Sequence, residues 1–297
     1  MNKDTFSGYH PAVNLLYFVA VIGFSMFFMH PVCLFISLVC AFSYSVYLNG
    51  KKAVRMGLIV MLPILIFTAL LNPLFNHQGM TIVGYLPNGN PITLESAVYG
   101  VAAAVMLITV ISWFSCFNAV MTSDKFVYLF GRIIPALSLI LSMALRFVPR
   151  FRDQIRVISN AQRCVGRDVR SGNILQKARH GIKILSIMVT WALENAIETA
   201  DSMKGRGYGL KGRTAFSIFR FERRDAYAAA YILVCAAAVI FGASVGVYHF
   251  RYFPTLRGNF TGGGTIAVFI AYFALAGFPI IVNLKEDIVW RKINRIA

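Results

Sequence analysis

Acidic side chains are scarce in this chain: 12 Asp and Glu stand against 29 Lys and Arg in 297 residues, a formal net charge of +17. Charge of either sign is scarce too. Only 14% of residues are charged and 58% are hydrophobic, whereas a soluble domain carries roughly 25% charged residues. The five cysteines (Cys33, Cys40, Cys116, Cys164, Cys235) have no CxxC spacing and lie mostly in apolar runs, so they read as small buried hydrophobes rather than metal ligands or disulfides. His10, His30, His77, His180 and His249 are scattered, without the paired spacing a metal site needs. No Ser/His/Asp or HExxH arrangement occurs within the apolar runs, and no internal repeat is evident. As an enzyme the sequence offers nothing specific, and no metal or cofactor is implied.

What the chain does have is length without charge. Leu15 to Met29, Pro31 to Leu48, Met56 to Leu71, Ala97 to Met121, Ala226 to Phe250 and Thr265 to Leu284 are free of charged residues. Each approaches the roughly 20 residues that cross a bilayer, and the mean hydropathy is +0.65. The pattern predicts an all-α integral membrane protein of about six transmembrane helices. Residues 1–121 form an N-terminal membrane region of about four helices, 122–225 a cytoplasmic or interfacial region, and 226–297 a C-terminal membrane region of about two.

The placement of the basic residues sets the orientation. With both termini cytoplasmic, all of the 29 Lys and Arg except Arg251 and Arg257 fall on the cytoplasmic side, as the positive-inside rule requires. The net charge therefore reflects topology, then attraction to anionic lipid or an acidic partner, rather than nucleic acid. A multi-pass cell-membrane protein is expected. The polar start around Asp4 does not resemble a cleaved signal peptide.

Local signals refine this. Ala12 to Leu48 is too long for one span, and His30-Pro31 near its middle favours a turn. Asn49-Gly50 closes the second helix, and Pro63 is placed to kink the third. The uncharged stretch Asn72 to Thr93 is rich in Asn, Gly and Pro. Within it, Thr81 to Leu86 followed by Pro87 to Pro91 reads as a short strand and turn. Thr93 suits an N-cap, with Glu95 in the first helical turn. Thr122 to Asp225 carries nineteen basic and eight acidic residues, yet it contains Phe126 to Val148, apolar but punctuated by Arg132, Pro135 and Arg146, and a second apolar stretch, Gly181 to Leu193. Long amphipathic helices partly buried against the membrane are expected there, with one face left for something else.

Three motifs stand out. Leu141 to Arg150 places Arg146 in an apolar helix, where it must snorkel or find a partner. The plainer reading is a helix end at the interface, with Pro149 bending the chain away. Ala161 to Asp168, containing Arg163, Gly166 and Arg167, and Ala200 to Gly209, containing Gly205, Arg206 and Gly207, both end amphipathic helices with glycine. Ordinary capping explains that equally well. Glycines on both sides of Arg206, however, clear space for its guanidinium to enter a groove and form forked hydrogen bonds. Behind it, Ala192, Ala196 and Ala200 form a small-residue stripe at which helices can pack closely. Gly207 to Thr214 approaches a phosphate-binding loop, but Arg213 replaces the required lysine and a helix, not a strand, precedes it. Glu194 and Glu198 share a helical face flanked by Lys183 and Lys204, which favours ion pairing over acid–base chemistry.

These three motifs, in this order, resemble the transmembrane T component of energy-coupling factor (ECF) transporters, the family that includes the cobalt-transport permease subunit. The similarity runs from Tyr9-His10-Pro11 through the cap after Asn72-Pro73 and the Ala144-Leu145-Arg146-Phe147-Val148-Pro149 segment to Met203-Lys204-Gly205-Arg206-Gly207-Tyr208. The resemblance implies a scaffold joining two ABC-type ATPases, which bind the ATP, to a substrate-binding S component for vitamin or transition-metal uptake. It implies two long coupling helices, each ending in an Ala-Arg-Gly-type motif whose arginine docks on an ATPase. By that match Arg206 is one docking arginine, with Gly205 in place of alanine. In the other motif Cys164-Val165-Gly166 occupies the corresponding place, leaving open whether Arg163 or Arg167 substitutes. The competing readings are a self-sufficient secondary transporter or channel, which the absence of charge from the first four spans disfavours, and an intramembrane enzyme.

Overall fold

The structure, a computed structural model, describes residues 4–85, 87, 89–133, 135–167, 173–210, 219–258 and 263–296. Leu86, Asn88, Asp168, Gly262, the Lys211 to Thr214 end of the loop-like stretch and the side chains of Arg132 and Pro135 lie outside the described residues. The elements are α1 (Pro11–Phe27), α2 (Pro31–Asn49), α3 (Lys51–Met56), α4 (Leu62–Phe75), α5 (Leu94–Val120), α6 (Ser123–Ile133), α7 (Pro135–Cys164), α8 (Ile174–Gly205), α9 (Arg223–Ser244), α10 (Gly263–Ala276) and α11 (Phe278–Ile296). Two small antiparallel hairpins accompany them: β1 (Ile82–Tyr85) with β2 (Pro91–Thr93), and β3 (Phe250–Arg251) with β4 (Arg257–Gly258). The chain is an all-α membrane protein, as its composition predicts.

Among the described residues, Pro31–Asn49, Lys51–Phe75, Leu94–Val120 and Arg223–Ser244 are long and apolar enough to cross a bilayer singly. Gly264–Ala276 and Phe278–Trp290 make a further span bent by 59°. The 17 residues of α1 reach about 26 Å at roughly 1.5 Å per residue, slightly less than a ~30 Å hydrocarbon core. These segments coincide with the six charge-free runs.

Two of the spans are irregular for identifiable reasons. The third passes through a π-helical turn, Gly57–Met61, immediately before Pro63. Proline has no N–H to give the preceding turn, and widening that turn lets Leu62 N–H reach back to Gly57 O instead. The sixth breaks at Gly277, between α10 and α11. Carbonyls released at a break in the membrane need donors. The Tyr17 hydroxyl donates to Ala276 O at 2.9 Å and the Tyr231 hydroxyl to Ala274 O at 3.1 Å.

The chain divides into two compact units, Met1–Lys125 with Phe219–Ala297, and Phe126–Ile218. In the first, the N- and C-terminal apolar helices share one core, centred on Phe6, Tyr17, Phe18, Tyr44 and Trp113, all fully buried. Phe6 meets Tyr17, Tyr44 and Phe278 edge to face, with centroids 5.1, 6.4 and 5.9 Å away, contacts each worth roughly 0.5–1.5 kcal/mol beyond area burial. A polar thread runs through this apolar core: the Trp113 indole N–H donates to Ser37 Oγ at 2.9 Å, and Ser37 lies 2.7 Å from Ser25 Oγ. Such bonds join helices where burial of oil in oil cannot.

Repeated His-Pro pairs start the first two helices. His10 and His30 each accept, through Nδ1, the N–H two residues on, with Pro11 and Pro31 at the first helical positions. Gly50 closes α2 at φ +54°. The β1–β2 hairpin pairs Ile82–Tyr85 with Pro91–Thr93, within the stretch whose turn chemistry predicts a strand and turn. Thr93 caps α5 through Ser96 N–H, and Glu95 is buried, accepting from the N–H and hydroxyl of Thr81.

The segment before α1 is pinned by residues distant in sequence. Thr5 N–H donates to Asn283, His10 N–H to Asp225 at 3.1 Å, and Arg224 to Gly8 O while covering the Tyr9 ring. Lys125 is nearly buried and donates to Ser7 O at 2.6 Å and Val120 O at 2.9 Å. Burial pulls its ammonium pKa down, against the nearby charge of Asp4.

Candidate partner-docking site

The second unit is built on two long helices, α7 of 30 residues and α8 of 32. Their seam is a small apolar cluster in which Ile158, Ile184 and Met188 are buried and Phe151, Ile187 and Trp191 pack against them. The α8 members recur every three to four residues, so they fall on one face. Its start is fixed by a capping box, in which Asn173 and Gln176 satisfy each other's backbone donors.

Arg146 sits mid-helix rather than at a helix end. α7 runs unbroken through Pro149 to Cys164, so the proline does not turn the chain away. One missing N–H is a local loss, and the hydrogen bonds on both sides carry the helix across it. Arg146 is exposed, with its guanidinium over the Phe147 ring at 5.7 Å, and Arg150 lies over Trp191 at 5.5 Å. The small-residue stripe is largely outside the α7–α8 seam: Ala192 is half-buried, Ala196 and Ala200 are exposed, and the seam uses larger residues. Ala161 is exposed on α7.

The two helix ends share one backbone geometry. At the end of α8, Gly207 adopts φ +76°, its N–H donates to Lys204 O at 2.9 Å, and Tyr208 N–H donates to Met203 O at 3.0 Å. At the end of α7, Gly166 adopts φ +74°, its N–H donates to Arg163 O at 3.0 Å, and Arg167 N–H donates to Gln162 O at 2.9 Å. This paired bonding is a Schellman turn, which needs a residue at positive φ just past the helix. It aligns the sites residue by residue: Cys164 with Gly205, Val165 with Arg206, Gly166 with Gly207. The cap position, where the helix stops and the side chain leaves the axis, holds Arg206 in α8 and Val165 in α7.

Both caps are open. Arg206, Gly205, Arg163, Val165, Gly166 and Arg167 are exposed. A Cβ built on Gly205 meets nothing within 4 Å, whereas one on Gly207 would lie 3.1 Å from Leu210 Cδ1. Gly207 is therefore required by its backbone, and Gly205 contributes open space. Arg206 and Tyr208 also line a polar cleft of about 560 Å³ that opens between α7 and α8.

Capping alone does not mark this site. The end of α9 makes the same turn, with Gly246 at φ +80° donating to Ala243 O and Val247 to Gly242 O. There the cap residue is Val245. What distinguishes α8 is a guanidinium at the cap of a long, exposed helix.

A profile of the cobalt transport protein family (CbiQ) matches residues 5–216, spanning both helix ends. The chain belongs to that family. It is 39% identical over 108 residues to an energy-coupling factor transporter transmembrane protein of Lacticaseibacillus paracasei, a match covering 36% of this chain and 41% of that protein. A protein of the same description from Streptococcus thermophilus is 31% identical over 179 residues, covering 57% of this chain and 67% of the relative. For Lactobacillus helveticus the identity is 32% over 108 residues, 36% and 39% of the two chains. The matched segments thus span about two fifths of the paracasei and helveticus proteins and two thirds of the thermophilus one.

Proposed function

We propose that this chain is the transmembrane T component of an energy-coupling factor importer. It serves as a scaffold linking two ABC-type ATPases to a substrate-binding S component for vitamin or transition-metal uptake. ATP binding and hydrolysis belong to the ATPases, and both termini of this chain face the cytoplasm. Membership of the cobalt transport family and likeness to proteins described as energy-coupling factor transporter transmembrane proteins support this reading.

The observation that carries it is the exposed cap of α8. Gly207 ends the helix so that Arg206 leaves it at the tip, and the glycines on either side add no bulk. A planar guanidinium held in this way suits a groove with carboxylates or carbonyls in a partner, where forked hydrogen bonds form. A desolvated arginine anchor of this kind contributes about 2 kcal/mol or more to an interface. At α7, where valine occupies the cap, Arg163 or Arg167 makes the corresponding contact from a neighbouring position. The 30- and 32-residue helices behind the caps then carry ATPase closure to the membrane helices and displace the S component.

The rival reading, a self-sufficient secondary transporter, uses broken helices whose freed carbonyls bind ions or substrate. A broken helix exists here, but Tyr17 and Tyr231 occupy two of the carbonyls beside its break. The test is Arg206→Glu in the assembled transporter. The expected result is normal membrane insertion, loss of ATPase co-purification and loss of uptake. Full uptake with both ATPases retained contradicts the docking role.

A further inference from the structure

The chain leaves the first unit after Lys125 and returns to it at Phe219, so two connections carry Phe126–Ile218. Both are held by one short segment, residues 4–10. At the outgoing connection the nearly buried Lys125 ammonium donates to Ser7 O at 2.6 Å, Ser7 Oγ at 3.3 Å and Val120 O at 2.9 Å. At the returning connection the buried Asp225 carboxylate accepts from His10 N–H at 3.1 Å through one oxygen and from Glu222 N–H at 2.9 Å through the other. Beside it Arg224 donates to Gly8 O at 3.0 Å, covers the Tyr9 ring at 5.1 Å and lies 3.3 Å from a Glu222 carboxylate oxygen. The His10 ring meets Phe221 edge to face at 5.2 Å. The first half of the segment is fixed to the membrane helices. Phe6 is fully buried, and the Tyr44 hydroxyl of α2 donates to Asp4 at 3.0 Å. Asn283 of α11 donates to Asp4 at 2.6 Å and accepts from Thr5 N–H at 2.9 Å.

An ammonium and a carboxylate taken out of water are costly, and partners of good geometry must offset that cost. Apolar side chains would fill the same space with less penalty. What the two charges add is direction, because each ties one connection to the same piece of backbone. We propose that residues 4–10 form a bracket that fixes the two connections relative to each other, with Lys125, Arg224 and Asp225 as its positioning residues. Coupling between distant parts of a chain travels through rigid elements and hydrogen-bond networks, and it is lost where a connection yields. One segment holds both connections here, and that segment is itself anchored on α2 and α11. A displacement of Phe126–Ile218 therefore reaches the membrane helices instead of being absorbed in two independent linkers. The bracket is measured in the isolated chain, and only its effect on transport depends on the proposed function.

The experiment places nitroxide amino acids at positions 123 and 223, both exposed and one beside each connection, in the purified full-length chain. Their separation is read by electron paramagnetic resonance. The native chain is expected to give one narrow distance, and Lys125→Met, which removes the three bonds of the ammonium, a broadened distribution. Arg224→Gln is expected to broaden it less. Its side chain is 51% exposed, so it carries the test where Lys125→Met fails to fold. Unchanged distributions in folded variants overturn the bracket. In the assembled transporter Lys125→Met is expected to keep both ATPases and their hydrolysis, while uptake per ATP falls about tenfold. A parallel fall of hydrolysis and uptake, with their ratio unchanged, overturns the coupling role. Failure of the docking reading is separate: if Arg206→Glu still co-purifies both ATPases, the nitroxide distances decide the bracket as before.

Discussion

The ends of α7 and α8 follow the same backbone path and differ in what they present. Each closes with a Schellman turn around a glycine, at φ +74° for Gly166 and +76° for Gly207. At the cap position one carries Val165 and the other Arg206, while Arg163 aligns with Lys204 and Arg167 with Tyr208. The end of α9 repeats the turn with Val245 and no arginine. The turn is thus a generic way to stop a helix, and specificity rests on the cap side chain and its neighbours. Under the proposed function, two unequal tips suit two non-identical motor subunits, or one grip tighter than the other.

Exchanging the two tips is the strongest way to break this comparison. Arg206→Val makes the end of α8 resemble the end of α7 without changing its backbone. ATPase affinity, measured by titration of the purified subunits, is expected to fall by roughly 30-fold or more, the loss of an anchor of about 2 kcal/mol. Next in size is Gly207→Val. A non-glycine residue at positive φ costs about 1–2 kcal/mol, and the added Cβ would lie 3.1 Å from Leu210. The turn shifts, Arg206 is misdirected, and affinity drops by an order of magnitude at most while thermal stability of the chain changes by a few degrees.

Val165→Arg runs in the opposite direction, giving α7 the cap residue that α8 has. ATPase affinity is expected to rise a few-fold, and in that background Arg163→Gln and Arg167→Gln lose whatever effect they have in the native chain. A fall in affinity on Val165→Arg would mean that the α7 tip docks through a contact of different shape. The smallest effect belongs to Gly205→Ala. The position is helical with nothing within 4 Å of a Cβ, and alanine favours a helix over glycine by up to about 1 kcal/mol. Unchanged docking with a slightly raised melting temperature is expected, and a clear loss of ATPase binding would mean that the partner approaches the backbone there.

Much of this molecule was legible from residue type alone. Charge-free runs located the spans because a bilayer interior leaves little choice of residue, and Thr93, Gly50 and the β1–β2 hairpin formed where their turn chemistry put them. The matching of Val165 with Arg206 was implied by the family resemblance, and the hydrogen bonds of the two caps pair the same positions. Other features left weaker marks. Pro149 reads as a helix end, but one absent donor did not outweigh the continuous helix on both sides. The bend at Gly277 and its tyrosine partners depend on contacts between residues distant in sequence, 259 apart for Tyr17 and Ala276 and 43 apart for Tyr231 and Ala274. The seam of α7 and α8 uses Ile158, Ile184, Met188 and Trp191 rather than the alanine stripe, because large apolar side chains bury more area per turn. The cleft shared by Arg146, Arg150 and Arg206 required knowing which faces of two helices meet.

The central claim is that the tips of α7 and α8 grip separate motor subunits, and site-specific photo-crosslinking from the assembled transporter tests it most directly. A crosslinker at position 206, and in separate variants at 163, 165 and 167, is expected to capture an ATPase from each tip, with the α7 yield highest beside whichever arginine makes the contact. Capture of lipid alone from every position, with both ATPases present in the complex, would contradict the account.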